Sequence, residues 1–576
     1  MWLLIVLLTL PEYEWESDNK FTISSYNLEE LSRLKDNPID LNTATFAEIV
    51  RLPWISVILA EKIITQRSQR PFRDTCDFIQ RLHISNTLWG KIAPYVTVGP
   101  GRKHPTFSTK LRLSQRLRTI WGYQRAGCLG SPYEARTFLQ VRYPERFAFH
   151  LLIQKDLYEP HYDDFVSWGI DMRLPRVDRL FVGNYALEFG ESLMFGPPYR
   201  RIKFYALKGA SRLIIPYRMD GNENRTLQGI AMKYELASIS WIGFASYTMR
   251  DARIYHDTVN RIIYENLYHD TYSNLNAKNR VDELLYGLYI GTDWVSFMLS
   301  TLNYRGDYGF AIPTSCKMMS LMWNLPTRGE VTFYGEIGRT IWDSYGDAQV
   351  MGINYGRGRW RLTLLWRNYE DEFWAPFGTS LRETRSSSEC GLILAYAYVA
   401  RGCKFNFYVD RYLVSYTQPY VDCRMTILYN FWRNYTLYVS YREKKASNNS
   451  YRSELRCDTR YRENTFELRT RLIKVWSSSG TGRLFYIEVG KKLAGYSVSL
   501  RYTVFGATES RVAYVYQFEN VAGIIRNIPL YGDGERILLK LTLSVRSSTV
   551  YLFYVFHVRG DQFHKHELGI RWDIRI

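Results

Sequence analysis

Near its C-terminus the chain reads Tyr496-Ser-Val-Ser-Leu500-Arg-Tyr-Thr-Val504, then Leu539-Lys-Leu-Thr-Leu543-Ser-Val545 and Leu568-Gly-Ile-Arg-Trp572-Asp-Ile-Arg-Ile576. Every second residue is apolar, and between them stand Ser, Thr, Lys, Arg, Gly and Asp. Successive side chains of an extended strand point to opposite faces, so each segment is a strand with one apolar and one polar side. The zigzag recurs at Trp360, Leu362, Leu364 and Trp366, opposite Arg361, Thr363 and Arg367. Traced backwards, runs of about nine to eleven residues, each followed by turn residues, continue to Gly99-Pro100. No amphipathic helix interrupts them, which excludes βαβ units, and no solenoid period is present.

Alternation alone does not say which face looks outward. A soluble sandwich would bury the apolar face, whereas a membrane barrel would turn it to lipid and line its lumen with the polar one. Three features favour the barrel. The strand-rich region shows no subdivision, and one closed sheet of roughly 18–22 strands is too wide for side chains to fill, which predicts a polar, wet interior. Strand length matches the ~9–11 tilted residues that cross a bilayer. The 46 Tyr and 16 Trp gather near strand ends, where amphipathic rings sit at lipid headgroups. The expected fold is therefore mainly β: a large closed antiparallel transmembrane β-barrel with a small all-α domain at the N-terminus. The chain stops on a strand, with Ile576 on the apolar face, and a lipid-facing sheet satisfies its backbone only by closing on itself.

The 576 residues are 46% hydrophobic and 23% charged, which excludes wholesale disorder. A mean hydropathy of -0.28 excludes a bundle of membrane helices. The net charge of +18 fits either an anionic partner or a basic surface or lumen. Seven cysteines form no C-x-x-C pair, so neither a disulfide framework nor a zinc ribbon is expected; one pair, such as Cys390 and Cys403 on neighbouring strands, is open to oxidation in an export compartment. Residues 1–16 form a signal-like hydrophobic segment around Met1-Trp-Leu-Leu-Ile-Val-Leu-Leu-Thr-Leu10, and 17–37 form a linker. From 38 to 99 the apolar residues fall at helical spacing in four short segments, with a capping box at Thr45-Phe-Ala-Glu48 and caps at Ser56 and Ser85. Residues 100–576 are the barrel.

Within 38–99, Asp40-Leu-Asn-Thr-Ala44, Leu52-Pro-Trp-Ile-Ser56, Ala60-Glu-Lys-Ile-Ile64, Pro71-Phe72 and Lys91-Ile-Ala-Pro-Tyr-Val96 resemble the tandem helix-hairpin-helix domain of the ComEA-type periplasmic DNA receptor. Phe181-Val-Gly-Asn-Tyr-Ala-Leu-Glu-Phe-Gly190, Leu193-Met-Phe-Gly196, Glu389-Cys-Gly391 and Tyr408-Val-Asp410 resemble the barrel joined to such domains in a group of Gram-negative proteins. The resemblance implies an outer-membrane location with the helical domain in the periplasm. It also implies hairpins that grip the DNA backbone without reading sequence. The implied contacts are Trp54, Ile55, Ser56, His83, Ile84 and Ser85 of the hairpins, with the cations Arg67, Arg70, Arg73 and Lys91. In the family each hairpin reads Gly-Ile-Gly; here Trp54-Ile-Ser56 and His83-Ile-Ser85 replace it. Two functions therefore stand open: non-sequence-specific DNA binding or uptake, and a porin-like or structural envelope barrel whose helical domain is a protein-interaction module or plug. The expected partners are outer-membrane lipid, with the DNA backbone or other envelope proteins; no small-molecule substrate is identified.

No G-x-x-x-x-G-K-[ST], H-E-x-x-H or G-x-S-x-G occurs, and neither an enzyme nor a cofactor is expected. His557, His564 and His566 lie close across the last hairpin, as solvated side chains or as a metal site. Glu188, Glu191, Glu336 and Asp410 are expected in an ion-paired lumen network.

Overall fold

In the computed structural model, the described residues are 39–42, 44, 49, 55, 57–82, 84, 89 and 92–98 of the N-terminal part. Beyond that they are 110–576, apart from 123–126, 197–210, 217–222 and scattered runs of one to three turn and loop positions. The signal-like segment, the linker, the capping box and the caps Ser56 and Ser85 lie outside the described residues. Of the four expected helices, two are described as helices: α1 (Val57–Gln69) and α2 (Thr75–Leu82).

The period-two region forms one closed antiparallel barrel of 24 strands. That is more than the 18–22 expected. The excess has a physical source: between Phe181 and Ala395 many strands carry apolar side chains on both faces, and counting by alternation undershoots there. The first strand, Lys110–Trp121, pairs with the last, Phe563–Arg575, from Arg112↔Arg575 to Trp121↔His566. The final residue finishes the seam: Leu111 N–H donates to the Ile576 carbonyl (2.8 Å) and Ile576 N–H to that of Leu111 (2.9 Å). Closure leaves no ladder of unpaired backbone groups facing lipid. Hairpin turns are short at the end where the chain enters (464–465, 494–495, 546–547). They are long at the other, where 251–280, 370–388 and 508–531 form loops.

Face orientation follows the alternation. Leu500 and Tyr502 are 51% and 38% exposed on the outside, while Arg501 and Thr503 are 5% and 0% exposed inside. The exterior is thus an apolar band, and exposed Trp121, Trp294, Tyr345, Trp360 and Tyr435 stand at or beside strand ends, where belt aromatics belong. Among the described residues no helix is long and apolar enough to cross a membrane.

The N-terminal domain has its own core. Ala60 and Ile63 of α1, Phe72, Phe78 of α2 and Ile92 are all essentially inaccessible, and Phe72 meets Phe78 edge-on at 5.1 Å. Pro71 ends α1 by disfavouring helical backbone at Arg70. Asp74 starts α2 by accepting the Asp77 N–H (2.9 Å). Ile39–Asp40 and Val96–Thr97 pair in parallel and bring the domain's two ends together. Helix α1 touches the barrel at strand Tyr345–Arg357, halfway round the wall from the strand where the chain enters.

Candidate functional site

Two places carry candidate function: the N-terminal domain and the lumen. In the domain, Asn42 of the Asp40–Ala44 motif locks the region after α1 to the chain start. Its amide donates to the Phe72 carbonyl (3.0 Å) and its oxygen accepts the Phe72 N–H (2.9 Å). Arg67 donates to the Leu41 carbonyl (2.8 Å), so it braces the fold. Arg70 pairs with Asp77 (2.9 Å), which also accepts the Arg73 N–H. That backbone hydrogen bond, with Arg70 and Arg81 beside it, holds the Asp77 carboxyl below its ordinary range. Ile55 and Ile84 are buried in the core. Arg73 is exposed. Trp54, Ser56, His83, Ser85 and Lys91 lie outside the described residues. Of the three described cations assigned to DNA, then, one serves the interior, one is ion-paired and one faces water.

The lumen is not wet throughout. In the half built from Val177 to Val414, loops fold inward and pack on inward-facing apolar side chains. Residues Glu191–Gly196 enter as a tight turn whose amides at Glu191 (2.7 Å) and Leu193 (3.2 Å) donate to Glu336. That carboxylate was expected in an ion pair; it is a backbone anchor instead. Thr379 N–H donates to the Ser192 carbonyl (3.0 Å) and Gly196 N–H to that of Phe377 (3.0 Å), joining this turn to the loop 370–388. Phe195 stacks on Phe377 (5.8 Å), and Leu193, Met194 and Phe195 share one buried cluster with Met318, Met322 and Leu365 of the wall. Gly196 has no room for a side chain: a Cβ there would lie 1.9 Å from the Thr379 hydroxyl. Two buried arginines in this half are matched by carboxylates. Arg367 grips Glu389 (2.9 Å) and Asp410 (2.8 Å), and Arg250 grips Glu283 (2.7 Å).

The other half is ionic. The hairpin Val515–Val521/Ile524–Leu530 tucks into the lumen, where Arg501 donates to the Phe518 carbonyl (3.0 Å). Glu519 takes Arg536 (2.7 Å) and Arg526 (3.0 Å), and Arg526 reaches on to Glu567 of the last strand. Beneath the hairpin lies a cavity of about 510 Å³, edged by the short turn Asn464-Thr465.

At the long-loop end, His269 clamps the loop 251–280 to the distant segment at Asp164. Its Nδ1 meets Asp164 (2.6 Å) and its Nε2 meets Asp251 (3.0 Å), while Lys278 pairs with Asp164 (2.7 Å). Burial disfavours the imidazolium, but hydrogen bonds and charge from both aspartates override it and hold His269 up to about 10. The same contacts keep Asp164 and Asp251 low despite burial. Glu159 lies in the cluster, and with Asp164 and His269 its ligand atoms span less than 4.8 Å. Lys278 and a charged His269 already sit among these carboxylates, so the cluster acts as a loop lock.

The last-hairpin histidines do not converge. His557 pairs across from Lys565 on the lumen face; His564 and His566 are outside, with His566 stacked on Trp121 (5.4 Å). All seven cysteines are free, and Cys390 and Cys403 stand at opposite ends of the barrel wall. Sequence reasoning missed the inward loops and the His269 lock. The loops leave a signal, since Met318, Met322, Leu365 and Ile393 make their strands apolar on both faces. The lock leaves none, its residues being scattered over more than a hundred positions.

Residues 35–97 match the helix-hairpin-helix motif family. No curated protein matches this chain. Among solved structures, the P pilus usher (PapC) translocation pore is 10% identical with a TM-score of 0.37, over 81% of this chain and 99% of that one. The siderophore receptor PirA from Pseudomonas aeruginosa is 8% identical with a TM-score of 0.41, over 81% of each chain. OpdK of Pseudomonas aeruginosa, solved with vanillate, is 9% identical with a TM-score of 0.26, over 81% and 98%. These likenesses concern barrel architecture alone.

Proposed function

We propose that the protein is an outer-membrane solute passage narrowed by its own loops, whose N-terminal domain covers the periplasmic mouth as a plug and protein-contact module. It works by binding and passage, without catalysis. Short turns mark the periplasmic end of such barrels, and the helical domain joins the barrel at its short-turn end. The observation that carries the reading is the contact of α1 with strand Tyr345–Arg357: a domain tethered at one side of the wall reaches the opposite side. The commitment of Arg67 and Arg70 to partners inside the domain supports a contact module over a DNA grip. DNA engagement remains the second reading, supported by the motif family and exposed Arg73.

The test is conductance in planar bilayers of the full chain and of a chain nicked in the segment 100–109. Nicking is expected to raise the open-state current several-fold. Equal currents before and after nicking refute the plug. Salt-sensitive retention of duplex DNA by the intact chain, falling steeply between low and physiological salt, would move the assignment to the second reading.

A further inference from the structure

The cavity beneath the lumen hairpin has walls with an unusual charge ratio. Seven cationic residues line it, among them Arg462, Arg469, Arg471, Arg501, Lys492 and Lys540, against two carboxylates, Glu467 and Glu488. Both carboxylates are shared. Glu467 serves Arg460 (2.7 Å), Arg462 (2.7 Å) and Arg469, and Glu488 serves Arg501 (2.5 Å) and Lys540 (2.7 Å). One negative charge divided among two or three cations leaves positive charge over. In a recess with protein on several sides that surplus is poorly screened, so it attracts a counter-anion.

The groups are also held in place. Arg471 is fixed from behind by Asp458 (2.8 Å), and Arg471 and Arg501 lie over the Tyr486 ring at 5.2 and 4.3 Å. Arg501 is pinned above by the Phe518 carbonyl. A guanidinium has five N–H donors in a planar fork, and Arg501, which gives two to Glu488 and one to the Phe518 carbonyl, keeps the rest for a phosphate. About 510 Å³ lies within the usual range for small-molecule sites, roughly 300–1,000 Å³, and is far too narrow for a duplex.

We propose that this cavity is a binding site for a small polyphosphate anion, a chain of two to four linked phosphate groups, inorganic or carried on an organic ester. The proposal deepens the passage reading by naming the solute class, yet binding is measured without passage, so the two can fail separately.

The probe is inorganic tripolyphosphate, titrated calorimetrically into the full chain in detergent micelles, with sulfate at matched ionic strength as the second arm. Adenosine triphosphate forms a third arm and separates an ester from the free chain. Saturable tripolyphosphate binding is expected, weakened at least tenfold in the double variant Lys492→Gln/Lys540→Gln, whose side chains are partly exposed and whose loss leaves Glu488 with Arg501. Glu467→Gln removes a competing carboxylate and is expected to tighten binding about fivefold, a direction that misfolding cannot mimic. Lys474→Gln, on the outer face, is expected to change nothing. The proposal is overturned if the native chain shows no saturable binding, if sulfate binds equally well, or if the double variant binds like the native chain.

Discussion

Replacing His269 by Gln removes the charge that ties the loop 251–280 to the segment at Asp164. The imidazole is 3% exposed and bridges Asp164 and Asp251. Its shift from 6.5 to about 10 sets a ceiling of about 5 kcal/mol on the charge interaction, at ~1.4 kcal/mol per unit. The loss on substitution is smaller, because Asp164 keeps Lys278 while Asp251 keeps Asn224 and the Asn279 N–H. Half the ceiling, ~2–3 kcal/mol, is a reasonable figure. At pH 6 that speeds amide exchange in 251–280 by roughly 30- to 150-fold, with the barrel strands unchanged. The pH dependence has a definite sign. Because the folded value lies above the unfolded one, the contribution is complete below 6.5 and drains away as pH rises towards 10. Asp164 and Asp251, held low, contribute above their ordinary range and lose that contribution as pH falls through it. The native loops should therefore loosen between pH 7 and 10, after correction for intrinsic exchange, and the variant's should not. Exchange that differs by less than twofold at pH 6, or that rises equally with pH in both, would show that His269 carries no such charge.

Leu500→Arg puts a charge on the lipid-facing band and should destabilise the barrel in vesicles by about 2–4 kcal/mol, read from urea titration of its folded band on gels; Ser499→Arg, on the lumen side, should cost far less. Arg367→Met leaves Glu389 and Asp410 buried without their cation and should cost about 3–5 kcal/mol in the same assay, with much of it recovered by adding Glu389→Gln and Asp410→Asn. Phe377→Ala opens the contact between the two inward loops. A cost of about 3–5 kcal/mol for such a buried ring should appear as faster proteolysis of the loop 370–388 and noisier single-channel current, the wall remaining intact.

What could be read from residues alone follows where one physical cause dominates. Leu500-Arg501-Tyr502-Thr503 has a single apolar face, and that face decided the barrel. Closure, the lumen-facing arginines and the helical domain followed from the same local rules. The strands around Met318, Leu365 and Ile393 obey a second cause, packing against loops that return to them from far along the chain. Their inward apolar residues blurred the alternation, so both the strand count and the expectation of a wet interior fell short. Glu336 was placed on the correct face but given the wrong partner, because its partners are amides of a turn more than a hundred residues away. The last-hairpin histidines illustrate the converse: closeness in sequence put them together, and a period of two puts His557 on the opposite side of the sheet from His564 and His566.

The account stands on the outward orientation of the apolar faces. Spin labels placed singly at 498, 499, 500, 501 and 502, in a chain whose native cysteines are replaced by serine, report it directly in lipid vesicles. The account predicts that oxygen dissolved in lipid relaxes the labels at 498, 500 and 502, and that a water-soluble nickel chelate does not reach them. Labels at 499 and 501 should show the reverse. Equal accessibility along the run, or the opposite alternation, would contradict it.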